Sequence, residues 1–216
     1  MSIQEAKLSK TEVVSVYTKT ARLYDLWARL TETRARKRSL DFARIVDGES
    51  VLEVATGTGL TFVEILKANP NGRNVGVDIT PAMLERAERK ARASGIENYQ
   101  LLVGDAYRLR FADREFDLLM NNYMFDLLPE RDFPSVLAEF RRVLKSDGRL
   151  VLVNMTQGTR PHQNFWEMVY RINAKWLGGC RGVLLEESLR ASGFREIYRE
   201  TTTQFGFPSE IVVATP

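Results

Sequence analysis

The 216-residue chain has a single cysteine, Cys180, and a single histidine, His162. No disulfide can form within it, and a Cys/His zinc site, which takes about four ligands, is excluded; no metal is expected. No apolar run approaches the roughly 18 residues that span a bilayer. At the N-terminus Glu5, Lys7 and Lys10 stand where a signal peptide would have its apolar core. Internal repeats and low-complexity linkers are missing too. These absences point to a cytoplasmic protein. Apolar residues at 44% and charged residues at 27% exclude a wholly disordered chain.

The formal charge is +3, unevenly spread. Residues 1–46 hold ten Lys/Arg and five Asp/Glu, so the rest of the chain is slightly acidic. Arg34, Arg36, Lys37 and Arg38 form the densest basic cluster. It suits peripheral contact with an anionic membrane, a phosphate, or simply a solvated helix face. Nucleic acid fits poorly, because the cluster lacks interleaved aromatics.

Residues 11–46 read as helical, with Leu23, Leu26, Trp27 and Leu30 on one face. Strands are expected at 50–55, 74–79, 99–103, 116–121 and 149–154, and helices at 62–68, 82–93 and 133–144. Short connections between alternating strands and helices mark parallel βαβ units, hence an α/β doubly wound, Rossmann-like sheet. After Asn154 the alternation breaks. Residues 157–182 contain an amphipathic segment with Phe165, Met168, Val169, Ile172 and Trp176 on one face. A helix at 184–191 and strands at 195–202 and 210–214 follow. The last two are close enough to pair antiparallel at a sheet edge, making seven strands.

The chemistry concentrates in Glu53-Val-Ala55-Thr56-Gly57-Thr58-Gly59. A glycine-rich turn after a strand lets backbone approach a ligand. A P-loop would need a following Gly-Lys-Ser/Thr, which is missing. A dinucleotide fingerprint would need a third glycine where Phe62 stands. The acids fit a third ligand. Glu53, Asp78 and Asp105 sit at the ends of three successive strands, where such sheets bind ligands. One aspartate after a strand is usually a turn or cap residue; three in this arrangement match a nucleoside carrying an amino acid. Asp78 suits the ribose hydroxyls. Asp105 suits the adenine amino group, with the Ala106 amide toward the ring. Glu53 suits the ammonium, and the 56–59 backbone the amino-acid chain. The ligand is S-adenosylmethionine.

With these motifs the sequence resembles the class I methyltransferases, and most closely the ubiquinone/menaquinone C-methyltransferases and the bacterial phosphatidylethanolamine N-methyltransferases. The matching segments are the 53–59 loop, Val77-Asp78-Ile79-Thr80-x-x-Met83-Leu84, Gly104-Asp105-Ala106, Phe116-Asp117 and the 142–150 turn. Val16-Tyr17 and Ala21-x-x-Tyr24-Asp25 resemble the family's N-terminal helix. The resemblance implies cofactor contacts at Thr58, Asp78, Asp105, Ala106 and Asn122. It places Tyr24 on a lid helix, so that residues 1–46 form a helical lid over a 47–216 catalytic domain. Tyr17, Ile79, Met83 and Asn121 complete the expected cofactor set. The segments that depart from the family, residues 31–38 and 157–182, are those expected to shape and cover the acceptor site.

Methyl transfer from a sulfonium needs in-line positioning more than acid or base catalysis. Aromatic faces stabilise the cation, which nominates Tyr17, Tyr24 and Tyr123. Asn121-Asn122-Tyr123-Met124 resembles the Asn-Pro-Pro-Tyr of adenine and glutamine N-methyltransferases but lacks both prolines. His162 is the one side chain whose ordinary pKa suits a general base near neutrality. The expected acceptor is small or lipid-like: a quinol carbon, a phospholipid amine or another small molecule. The alternative is a protein of the same fold that binds the cofactor without turnover.

Overall fold

The computed structural model describes residues 5–156, 168–170, 172–173 and 179–216, with only the backbone described for 19–24. His162, Phe165 and Trp176 lie outside these residues, as does the side chain of Tyr24.

Two helices come first, α1 (Lys10–Thr31) and α2 (Thr33–Ala43). Ser9 caps α1 in a capping box with Glu12. The single helical stretch expected over 11–46 is interrupted at Glu32, which ends α1 and begins α2. Flanking threonines turn their hydroxyls back on the chain, Thr31 to Trp27 O and Thr33 to Arg29 O. Such back-bonding bends helices.

β1 (Ser50–Val54), α3 (Leu60–Ala68), β2 (Arg73–Asp78), α4 (Pro81–Ala93), β3 (Tyr99–Val103) and β4 (Phe116–Asn122) follow. Two single-turn 3-10 segments, Phe125–Leu127 and Glu130–Asp132, lead into α5 (Phe133–Val143) and β5 (Leu144–Met155). α6 (Glu186–Ala191), β6 (Arg195–Gln204) and β7 (Phe207–Thr215) close the fold. β5 starts earlier than the sequence pattern indicates. Leu144 already pairs with Phe116, and a bulge absorbs the residues before Arg149 meets Leu118.

The seven strands run β3-β2-β1-β4-β5-β7-β6. β1 to β5 are parallel; β7 is antiparallel to both neighbours. The sheet is therefore mainly parallel with an antiparallel C-terminal hairpin. Central strands are buried on both faces, and alternate residues serve opposite cores. Leu52, Leu119, Leu150 and Leu152 pack toward Phe133, Leu137 and Phe140 of α5. Val51, Leu118, Met120, Val151 and Val153 pack toward Ala35 and Ala43 of α2. Of residues 1–46, α2 thus belongs to the helical layer on the sheet. α1 is the part that overlies the strand ends.

Candidate functional site

The carboxyl ends of β1, β2 and β4, with the N-terminal half of α1, enclose a cavity of about 570 Å³. That is the size of a site for one drug-sized ligand. The 55–59 turn forms one side. Ala55, Gly57 and Gly59 all have positive φ, at 58°, 57° and 81°. The left-handed steps fold the chain back sharply and leave Gly57 facing open space, with nothing nearer than 4.0 Å to a Cβ built there. Gly59 has a different role. A Cβ there would stand 2.8 Å from Ala87 Cα, so its absence lets the start of α3 lie against α4. Gly59→Ala combines left-handed strain with overpacking and is expected to cost about 2–5 kcal/mol, read as a lower urea midpoint at unchanged slope.

Asp78 closes the turn. One carboxylate oxygen accepts from Gly57 N at 2.8 Å, the other from Thr80 N at 2.8 Å. The side chain lines the cavity. Burial raises its pKa despite the two amides. Ile79, Met83 and Ala106 line the same cavity.

Glu53 lies deeper, in a small recess shared with Thr56, Thr58, Asn122 and Tyr123. Asn122 donates to Glu53 Oε1 at 3.4 Å; Oε2 is buried without a partner. Burial pushes this carboxyl well above the usual range. Arg36 lines the same recess, and its charge opposes the shift; a buried carboxyl with an orphan oxygen is the natural partner of a cation.

Asp105 is half-exposed and engaged: Lys10 of α1 makes an ion pair with it, and Tyr107 N donates to it at 3.2 Å. The same ammonium lies 5.0 Å from the Tyr107 ring centre. The Tyr107 hydroxyl donates to Asp132 at 2.7 Å. If Asp105 receives the adenine amino group, Lys10 competes for the same oxygens. Lys10→Met is then expected to tighten cofactor binding up to about fivefold, the worth of a surface ion pair, measurable by calorimetry.

Other expected site residues serve the scaffold. The Thr58 hydroxyl donates to Asp25 of α1 at 2.5 Å, and Lys90 of α4 bonds both Asp25 and Thr58 O at 2.8 Å. This knot ties α1 to the glycine turn. Thr56 turns its hydroxyl onto Glu53 O, and Asn121 donates to Val54 O at 2.8 Å. Neither Asn121 nor Gly59 lines the cavity among its described residues. Tyr17 and Tyr123 do. The Tyr123 hydroxyl is bonded to Ser209 at 2.8 Å, so the residue offers its ring rather than its oxygen to the cavity.

Three residues near the site escape sequence reading. Lys10 is one. Asp126 follows Tyr123, is fully buried, and accepts from Met155 N at 3.2 Å, while its other oxygen has no partner. Burial pushes its pKa up to about 7. Arg181, also buried, donates to the carbonyls of Phe125, Asp126 and Leu128. It thereby clamps the segment whose Leu127 and Leu128 wall the cavity. Arginine donates up to five such bonds in a fixed fork, but nothing local in the sequence marks it.

Comparison with known proteins agrees with this geometry. The family described as "Methyltransferase domain" matches residues 51–148. A demethylmenaquinone methyltransferase of Lactobacillus johnsonii is 30% identical over 77% of this chain and 70% of its own length. One from Thermus thermophilus is 34% identical, covering 73% of this chain and 70% of its own. A SAM-dependent methyltransferase structure from Aquifex aeolicus shares the fold, with TM-score 0.62 and 17% identity over 97% of this chain and 100% of its own. The acids, the glycine turn, the strand order and these relatives agree: the chain belongs to the class I S-adenosylmethionine-dependent methyltransferases.

Proposed function

We propose that this enzyme methylates a ring carbon of an apolar hydroquinone-type acceptor. The observation that carries this reading is the apolar part of the cavity's lining. Leu8, Val13, Tyr17, Met124, Leu127 and Leu128 form it. Leu8 and Leu127 converge where a Cβ on Gly179 would stand 2.9 Å and 3.4 Å from their side chains. The described carboxylates that line the cavity are already engaged. Asp105 and Asp132 both bond Tyr107, and Asp78 holds Gly57. A phospholipid ammonium entering an apolar wall would lack a partner for its charge, whereas an aromatic ring is at home there. The names of the menaquinone-pathway relatives point the same way.

When bound, the cofactor supplies a sulfonium methyl group. The residues of this chain then have separable tasks. Asp78 fixes the ribose and Glu53 the ammonium, which sets the cofactor's depth. The rings of Tyr17 and Tyr123, which line the cavity, would stabilise its cation and exclude water. The leucine and methionine wall presents the acceptor on the methyl side, where alignment supplies most of the rate gain. His162 remains the proposed base and Tyr24 a proposed lid contact; both fall outside the described side chains.

The test is methyl transfer from S-adenosylmethionine to a reduced naphthoquinone lacking one ring methyl. Phosphatidylethanolamine vesicles and a simple phenol run in parallel. A product carrying a new carbon-bound methyl, identified by NMR, is expected from the quinol alone. Turnover on phosphatidylethanolamine but not the quinol would overturn the reading.

A further inference from the structure

Of the basic cluster in the N-terminal helices, Arg36 lines the Glu53 recess; Arg34, Lys37 and Arg38 line neither the cavity nor the recess, and the structure gives them a setting. β6 and β7 are joined by Phe205 and Gly206, both with positive φ, at 49° and 76°. Gln204 and Phe207 pair directly, so the hairpin turns on two residues. Such turns favour Asn, Asp or Gly at their first position. Here the position holds a phenylalanine that is 77% exposed. A bulky residue is strained at positive φ, and this one recovers nothing by packing.

The turn is docked on the α1–α2 junction. Gln204 donates to Arg29 O at 2.9 Å and Leu30 O at 2.8 Å, and accepts from Arg34 N at 2.8 Å. Phe205 is thereby held at the junction that carries Leu30, with Leu26 one turn earlier on α1; the two leucines are 48% and 61% exposed. Phe205 and Leu26 are among the most exposed large apolar side chains of the described residues.

The charges around them have one sign in excess. Arg38 is neutralised by Asp41 and Glu200. Arg29, Arg34 and Lys37 are exposed and have no carboxylate within 4.0 Å among the described residues. A projecting aromatic, a pair of leucines and a cationic rim match one kind of surface: apolar just beneath a layer of anionic phosphates. A soluble anion would use the cations but not the phenylalanine. We propose that the end of the molecule formed by the α1–α2 junction and the β6–β7 turn docks on anionic lipid, with Phe205 inserted at the interface. This docking is independent of the acceptor's identity.

The experiment is co-sedimentation of the full chain with vesicles of phosphatidylcholine alone, or with about one third phosphatidylglycerol, at low and high salt. Binding is expected to the anionic vesicles and to weaken as salt screens the rim. Phe205→Asn should lower the partition coefficient roughly tenfold while raising thermal stability, because asparagine suits the turn. A purely structural phenylalanine would not give that opposition. Lys37→Glu and Arg29→Glu should each lower it about fivefold or more, with S-adenosylmethionine binding unchanged. The proposal is overturned if the protein ignores anionic vesicles at low salt. It is equally overturned if Phe205→Asn binds like wild type, or if light scattering shows a dimer that Phe205→Asn dissociates, which would make this face a contact between copies of the chain.

Discussion

Asp78→Ala is expected to weaken S-adenosylmethionine binding by about two to three orders of magnitude. The carboxylate is buried at the cavity wall. Hydrogen bonds to a charged acceptor contribute about 1.5–3 kcal/mol each, and the ribose offers two. Losing both costs about 3–4 kcal/mol, hence the factor. The substitution also frees the Gly57 and Thr80 amides, so part of the loss is a loosened turn. Asp78→Asn separates the two contributions: it keeps the volume and one carbonyl acceptor, and about a tenfold loss is expected. S-Adenosylhomocysteine should lose affinity by the same factors, because Asp78 addresses the sugar and not the sulfonium. Calorimetry with both ligands reads all of this. An alanine variant that binds within threefold of wild type would remove Asp78 from the site.

The second large effect is on stability. Asp126 is fully buried, with its folded pKa pushed from 3.8 to about 7. A raised carboxyl pKa means that the folded state holds its proton longer than the unfolded state does. Stability from this group is then full below about pH 4, falls as pH rises toward 7, and stays low above it. The gap corresponds to about 4 kcal/mol as an upper figure. Other carboxylates act in the opposite sense. Asp25, Asp117 and Glu139 have depressed values, so their stabilisation is present at neutral pH and is lost in acid. The Asp126→Asn variant isolates the term by difference. Its urea midpoint should gain on wild type steadily from about pH 4 to pH 7 and level off above that. The Arg181 guanidinium nearby limits the gain, since it loses a counter-charge. Parallel pH profiles for the two proteins would show that Asp126 is not the titrating group.

What the sequence announces and what it conceals divide along physical lines. Glu53, Asp78 and Asp105 are legible because strand ends, turns and acids recur at short spacing within βαβ units. The hairpin at the C-terminus is legible from two nearby apolar runs. The break at Glu32 is not, because it depends on threonine side chains choosing backbone partners. Nor is the extension of β5 to Leu144, which depends on a bulge opposite Phe116. Arg181 and Asp126 are 55 residues apart, and only folding turns an arginine in a variable segment into a clamp on three carbonyls. Lys10 meets Asp105 across 95 residues of chain. Thr58 carries a bond that its place in the glycine turn does not announce: a neighbouring helix takes its hydroxyl.

The insertion of β7 between β5 and β6 has a consequence for synthesis on the ribosome. β5 is flanked by β4 on one side and waits for residues 207–215 on the other. While those residues are unmade, the edge from Leu150 to Met155 carries unpaired backbone groups beside buried-type apolar side chains. Such an edge is a template for wrong pairing between nascent chains. Translation of the last segment therefore sets the time during which this protein is most in need of a chaperone. Slowing elongation between residues 156 and 207 should raise its insoluble fraction more than slowing it anywhere earlier.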